Sequence, residues 1–202
     1  MHYQDVLVFW FGEDDERQIP SSECQERWFG GGSETDDIIR SRFQTWVSAA
    51  GAGSLNHWVD TAEGRLALII LLDQFPRNLY RGLSAAYRYD ALALALCKAG
   101  LAKGDDQTLA PLQRVFFYLP LEHAEDEADQ QEALFRFDQL RQHVSVEARH
   151  WYEQYYDYAR QHYDIISTFG RFPHRNAVMG RLSTPEERLW LSETEQRFGQ
   201  GE

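Results

Sequence analysis

The chain has 202 residues, 43% of them apolar, a net charge of −12 and two cysteines. That is enough apolar material for one substantial core. The charge repels nucleic-acid backbones and anionic membranes at long range. Cys24 and Cys97 lie far apart without a C-x-x-C pattern, which excludes a disulfide scaffold and a cysteine zinc site.

The N-terminal apolar run over 6–11 follows no basic leader and precedes no small-residue cleavage site, so it is not a signal peptide. The continuously apolar run over 66–72 is far too short to span a bilayer. These features lead us to expect a cytoplasmic protein forming a single domain over residues 1–202. Lysine occurs only at Lys98 and Lys103, so nearly all positive charge is arginine, whose planar fork suits carboxylate or phosphate.

Taken in chain order, helix signals recur and strand alternation is rare. A first helix is expected over 3–11. Ser22 with Gln25 has capping-box spacing and opens a short helix ending at Trp28-Phe29 before the Gly30-Gly31-Gly32 loop. Ser33 caps a helix over 33–50. Asp60 with Glu63 opens the next, whose stretch 66–72 has no polar side and is therefore buried. Pro76 is expected to end it.

Further helices are expected over 84–102, 110–119 (stopped by Pro120), 122–143 and 145–168. In the helix over 84–102, small residues permit close approach of a neighbour. Thr184-Pro185-Glu186-Glu187 opens the last helix with an N-cap, a proline at the first helical position and a glutamate at the third. The expectation is an all-α protein of about nine helices in antiparallel pairs, either tetratricopeptide-like or an irregular helical array.

Two segments echo each other. Asp73-Gln74-Phe75-Pro76-Arg77-Asn78 is followed by Arg81-beside-Gly82, and Arg171-Phe172-Pro173-His174-Arg175-Asn176 by Gly180-Arg181. Asp73 is expected at a helix C-terminus, where exposed carbonyls disfavour a carboxylate, while His174 and Arg175 place cations near a helix N-terminus. Local rules broken in this way mark functional or specially compensated positions. Contact between the two turns would relieve both, through Asp73 pairing with Arg171, His174 or Arg175. The candidate catalytic residues are His123, His174 and Asp73. The candidate ligand contacts are Arg77, Asn78, Arg171, Arg175 and Asn176. Alternatively, the turns dock on each other and only hold the fold.

His123 shares a helix face with Glu127 but has no second histidine at helical spacing, so no metal is expected. The acidic run after it reads as a solvated face. The aromatic cluster Trp151, Tyr152, Tyr155, Tyr156 and Tyr158 reads as packing between helices. Nucleotide-loop, Rossmann, nucleophile-elbow and zinc-protease motifs do not occur, and no cofactor is expected.

At these same residues the sequence resembles the domain-of-unknown-function 924 family. The resemblance rests on residues 71–78 and 170–176, on Phe9-Trp10-Phe11-Gly12, on Trp28-Phe29, on 118–125 (Tyr-Leu-Pro-Leu-Glu-His-Ala-Glu) and on Ser183-Thr184-Pro185-Glu186-Glu187. It covers residues 6–191 and implies a bacterial, cytoplasmic, all-α, tetratricopeptide-like protein without an established activity. Glu122 departs from the apolar residue expected before the histidine. The expected function is binding of a peptide or small anionic molecule at the paired Phe-Pro turns. The alternatives are an enzyme of hydrolase or lyase class, with His123 or His174 as base and Asp73 orienting it, or a structural role.

Overall fold

The computed structural model describes residues 1–13, 18–30 and 32–194, so Gly31 of the glycine loop lies outside the described residues. Among these, helices follow one another throughout and no strand occurs. Helix α1 is Tyr3–Phe11, α2 Ser22–Phe29 and α3 Ser33–Gly51. Helix α4 is continuous through three segments: Ala62–Ile69, a π-helical turn Ile70–Gln74, and Phe75–Leu79. Then come α5 Asp90–Lys103, α6 Pro111–Glu122, α7 Glu127–Gln142, α8 Arg149–Phe169 and α9 Pro185–Glu193. Short 3-10 turns occupy Ser84–Tyr87 and Pro173–Arg175, among others.

Several caps fall one residue from their expected positions. The side chain of Ser21, not Ser22, accepts from the Cys24 N–H, and Thr61, not Asp60, accepts from Gly64. Gly32 precedes α3 without any side-chain cap. Thr184 and Glu187 form the expected reciprocal box at the start of α9. In each side-chain cap the capping residue has extended backbone, which turns its oxygen back onto the first helical turn.

The apolar stretch of α4 is the centre of the core. Residues 66–72 are each at most 2% exposed, and α4 packs on α1, α3, α5 and α6. Helix α5 approaches closely at Gly100, where an added Cβ would lie 2.5 Å from the Phe117 ring. Here the small residues of α5 do admit a neighbour. A smaller apolar cluster of Ile165, Ile166 and Phe172, with Phe169 and Trp190 against it, joins the end of α8 to α9.

Two prolines do not stop their helices as expected. Before Pro76 the Phe75 N–H bonds the Ile70 carbonyl five residues back. This wider turn relieves the clash of the proline ring with the preceding turn, so the helix runs on to Leu79. Pro120 sits inside α6, which continues to Glu122. Both prolines thus lie three residues from a site residue, Asp73 in one case and His123 in the other.

Because Ile69 is fully buried on a helix touching four others, Ile69→Ala should cost roughly 2–5 kcal/mol in urea unfolding. A loss below about 1 kcal/mol would show that the neighbourhood collapses to fill the space.

Candidate functional site

Asp73 lies in the π turn of α4 and is fully buried. A buried carboxylate is tolerated only when charges and donors surround it, and here they do. His123 Nδ1 is 2.8 Å from Oδ1, and the Gln74 amide donates to Oδ2 at 2.5 Å. Arg77 Nη1 lies 3.3 Å from Oδ1 and donates to the Asp73 carbonyl at 2.6 Å. Burial alone would raise the Asp73 pKa, but Arg77 and His123 hold it well below the usual carboxylate range. Arg77 is fixed in turn by a fork to Asp90, both oxygens at 2.9 Å.

His123 follows the last residue of α6, where carbonyls lose their helical partners. Two buried side chains satisfy them. The Gln130 amide donates to the carbonyls of Glu122 and Ala124 at 2.6 and 2.8 Å. Arg175 Nη1 donates to the His123 carbonyl at 3.0 Å. The histidine backbone is therefore held by α7 and by the second Phe-Pro segment, while its ring is held by α4. Since ionised Asp73 can only accept, the His123 proton sits on Nδ1, and Nε2 keeps its lone pair. Burial and the Arg77 charge lower the imidazole pKa, against the pull of Asp73.

Glu122 is the neighbour that sequence reasoning missed as a site residue. It is 4% exposed, and burial together with the Asp73 charge pushes its pKa up to about 8. Its carboxyl is 3.1 Å from His162 Nδ1, which also donates to the Tyr158 carbonyl at 2.9 Å. Burial and nearby His123 push the His162 pKa well down. Close distance notwithstanding, the raised glutamate pKa and the lowered histidine pKa both favour the neutral forms over an ion pair. The available signal was a glutamate embedded in the apolar run Phe116-Phe117-Tyr118-Leu119-Pro120-Leu121.

A cavity of about 490 Å³ opens onto these groups. Gln74, Arg77, Asn78 and Arg81 of the first Phe-Pro segment line it, as do Glu122, His123 and His162. Trp28 and Phe29 of α2 and Trp151, Tyr155 and Tyr158 of α8 also line it. Those three α8 aromatics, read from sequence as helix packing, thus face a cavity, whereas Tyr152 is in the core.

The two Phe-Pro segments do meet, but not through Asp73. Arg77 and Arg175 both reach Asp90, Arg175 Nη1 at 3.7 Å from Oδ2, and Arg175 also holds His123. Contrary to expectation, Arg171, His174, Arg175 and Asn176 do not line the cavity. Arg171 pairs with Glu187 at 2.6 Å, holding that carboxyl down at about 2. Asn176 bonds Glu187 and Ser183. Arg175 packs its guanidinium over the Tyr87 and Phe172 rings, and the His174 ring lies 5.5 Å from that of Phe172. Asn78 lines the cavity while donating to Asp36 at 2.8 Å.

The acidic run after His123 is not merely solvated. Glu125 accepts from the Phe172 N–H at 2.8 Å and pairs with Arg181 at 2.5 Å, docking the second segment. The Asp126 side chain caps α7. Among the described residues no three His, Cys, Asp or Glu side chains converge as metal ligands do, and no helix is long and apolar enough to cross a membrane.

Fold and site together define an all-α protein with a buried Asp–His pair and a buried glutamate whose pKa is raised. The chain belongs to the family described as bacterial proteins of unknown function (DUF924), whose model matches residues 6–195. It is similar to a protein of unknown function, ATU0120 from Agrobacterium tumefaciens, of known structure: 38% identity, 95% of this chain and 97% of that chain covered, TM-score 0.78. No curated protein matches.

The raised Glu122 pKa gives a pH signature. Between about 4.5 and 8 the unfolded chain releases this proton while the folded chain keeps it, so the Glu122 contribution to stability falls as pH rises. The unfolding free energy of wild type minus that of Glu122→Gln should therefore decline across that window in chemical denaturation. A pH-independent difference would show that Glu122 is ionised in the fold.

Proposed function

We propose that the cavity is an active site for proton-transfer chemistry on a small molecule, of hydrolase or lyase type. The observation that carries this reading is the 2.8 Å pairing of a buried Asp73 carboxylate with Nδ1 of His123, which lines the cavity. In that arrangement the carboxylate fixes the tautomer and steadies the imidazolium that forms when Nε2 takes a proton. Glu122, its pKa raised by burial, lines the same cavity as His123 and supplies the proton donor. Paired groups with oppositely perturbed pKa values are the mark of acid–base sites.

The cavity volume suits a small molecule better than a peptide, and it lies between helices, where all-α folds build their binding grooves. Two buried free thiols, Cys24 and Cys97, fit a reducing, cytoplasmic setting.

The test is substrate depletion. Incubating the protein with a bacterial small-molecule extract and following it by mass spectrometry should show time-dependent consumption of at least one compound. His123→Ala should abolish that turnover, and Asp73→Asn should reduce it by about 10²-fold or more through loss of the oriented tautomer. A compound retained by wild type without being converted would make the protein a binder, and turnover undiminished in His123→Ala would remove the proposed base.

A further inference from the structure

Helix α8 offers the cavity one face: Trp151, Tyr155, Tyr158 and His162 recur at helical spacing and all line it. Trp151 and Tyr155 are half-buried, and Tyr158 is 54% exposed at the mouth. Helix α2 adds Trp28, so indole rings reach the cavity from two separate helices.

The charged groups in the lining are unequal in sign. Among the described residues Arg27, Arg77 and Arg81 line the cavity, and Glu122, whose pKa burial raises to about 8, is the carboxyl group in the lining. This stands out in a chain of net charge −12. The three arginines are not equivalent. Arg77 is committed to Asp73 and Asp90, and Arg81 to Asp36 at 3.1 Å. Arg27 instead donates to the Trp10 carbonyl at 3.2 Å, approaches Cys24 Sγ at 3.9 Å and lies over the Phe9 ring at 5.1 Å. Among the described residues none of these contacts balances its charge, and Arg27 is half-buried in the cavity lining.

We infer that the site takes a small ligand joining an oxyanion to a flat π-face, the oxyanion toward Arg27 and the π-face against Trp28 and Trp151. Guanidinium recognises carboxylate or phosphate through paired donors, and indole stacks on flat rings. The volume holds one such molecule and not a polymer. A carboxylate and a phosphate would use the same donors, so the two are separated by experiment. The inference deepens the acid–base reading and rests on it for treating this cavity as the functional site.

The test is a calorimetric titration of the full chain with benzoate, phenyl phosphate, cyclohexanecarboxylate, benzyl alcohol and benzylamine. Benzoate or phenyl phosphate should bind about tenfold or more tightly than benzyl alcohol and benzylamine, and the tighter of the two names the oxyanion. Benzoate should exceed cyclohexanecarboxylate by about threefold or more. Arg27→Gln should weaken the aryl anions about tenfold, and Trp151→Leu should erase the preference for benzoate over cyclohexanecarboxylate, each variant first shown folded by circular dichroism.

No saturable binding of either aryl anion would overturn the inference, as would benzylamine binding as tightly, or affinities that neither variant changes. The two readings fail separately. Aryl-anion binding at this site without any His123-dependent turnover sinks the acid–base reading alone. His123-dependent turnover of a cationic or wholly aliphatic compound sinks the ligand class alone.

Discussion

A carboxylate without solvent must be compensated from inside, and Asp73 at the middle of the structure imposes that constraint on everything around it. An ionised group in an apolar core costs several kcal/mol unless charges and donors meet it. Arg77 approaches from the next turn of the same helix, Gln74 from the adjacent residue and His123 from the end of α6. Removing Arg77 would leave an unmatched charge, and removing Gln74 or His123 an unmet acceptor, so α4 and α6 are held in register by the His123 contact.

The same constraint explains the outer ring of contacts. Arg77 needs a second carboxylate, supplied by Asp90 at the start of α5. His123 needs its backbone pinned, and Gln130 and Arg175 do so from α7 and from the 3-10 turn after Phe172. Arg175 is itself seated between the Tyr87 and Phe172 rings, while Glu125 and Arg181 hold Phe172 in place. Arg171, Asn176 and Glu187 then tie that segment to α9. The second Phe-Pro segment is thus a support for the histidine and not a wall of the cavity.

Fold class and the principal helices were legible because caps, glycine stops and the apolar run over 66–72 are local signals. The helix end at Pro76 was misjudged because proline's effect depends on the turn before it: a π turn in α4 removes the clash that a regular helix would suffer. Asp73 and His123 were legible as an aspartate and a histidine in unusual settings. Their pairing stood among the sequence alternatives, as a carboxylate orienting a base, but sequence could not choose His123 over His174, since fifty residues separate Asp73 from His123 and packing brings them together. Arg171 and Arg175 looked like anion contacts because sequence shows charges without their partners, Glu187 and the His123 carbonyl. Glu122 was overlooked as a site residue because the apolar run before it, the sign that it would be buried, does not by itself show that the carboxyl lines a cavity.

The account turns on the state of one imidazole. Two-bond nitrogen–proton correlation spectra of the histidine-labelled protein, with His123 assigned by substitution, report tautomer and charge together. At pH 7 His123 should be neutral with its proton on Nδ1 and a bare Nε2, and in Asp73→Asn this preference should weaken. An Nε2-protonated tautomer or an imidazolium at pH 7 in the wild-type protein would contradict the account, because neither leaves the cavity a nitrogen able to take a proton.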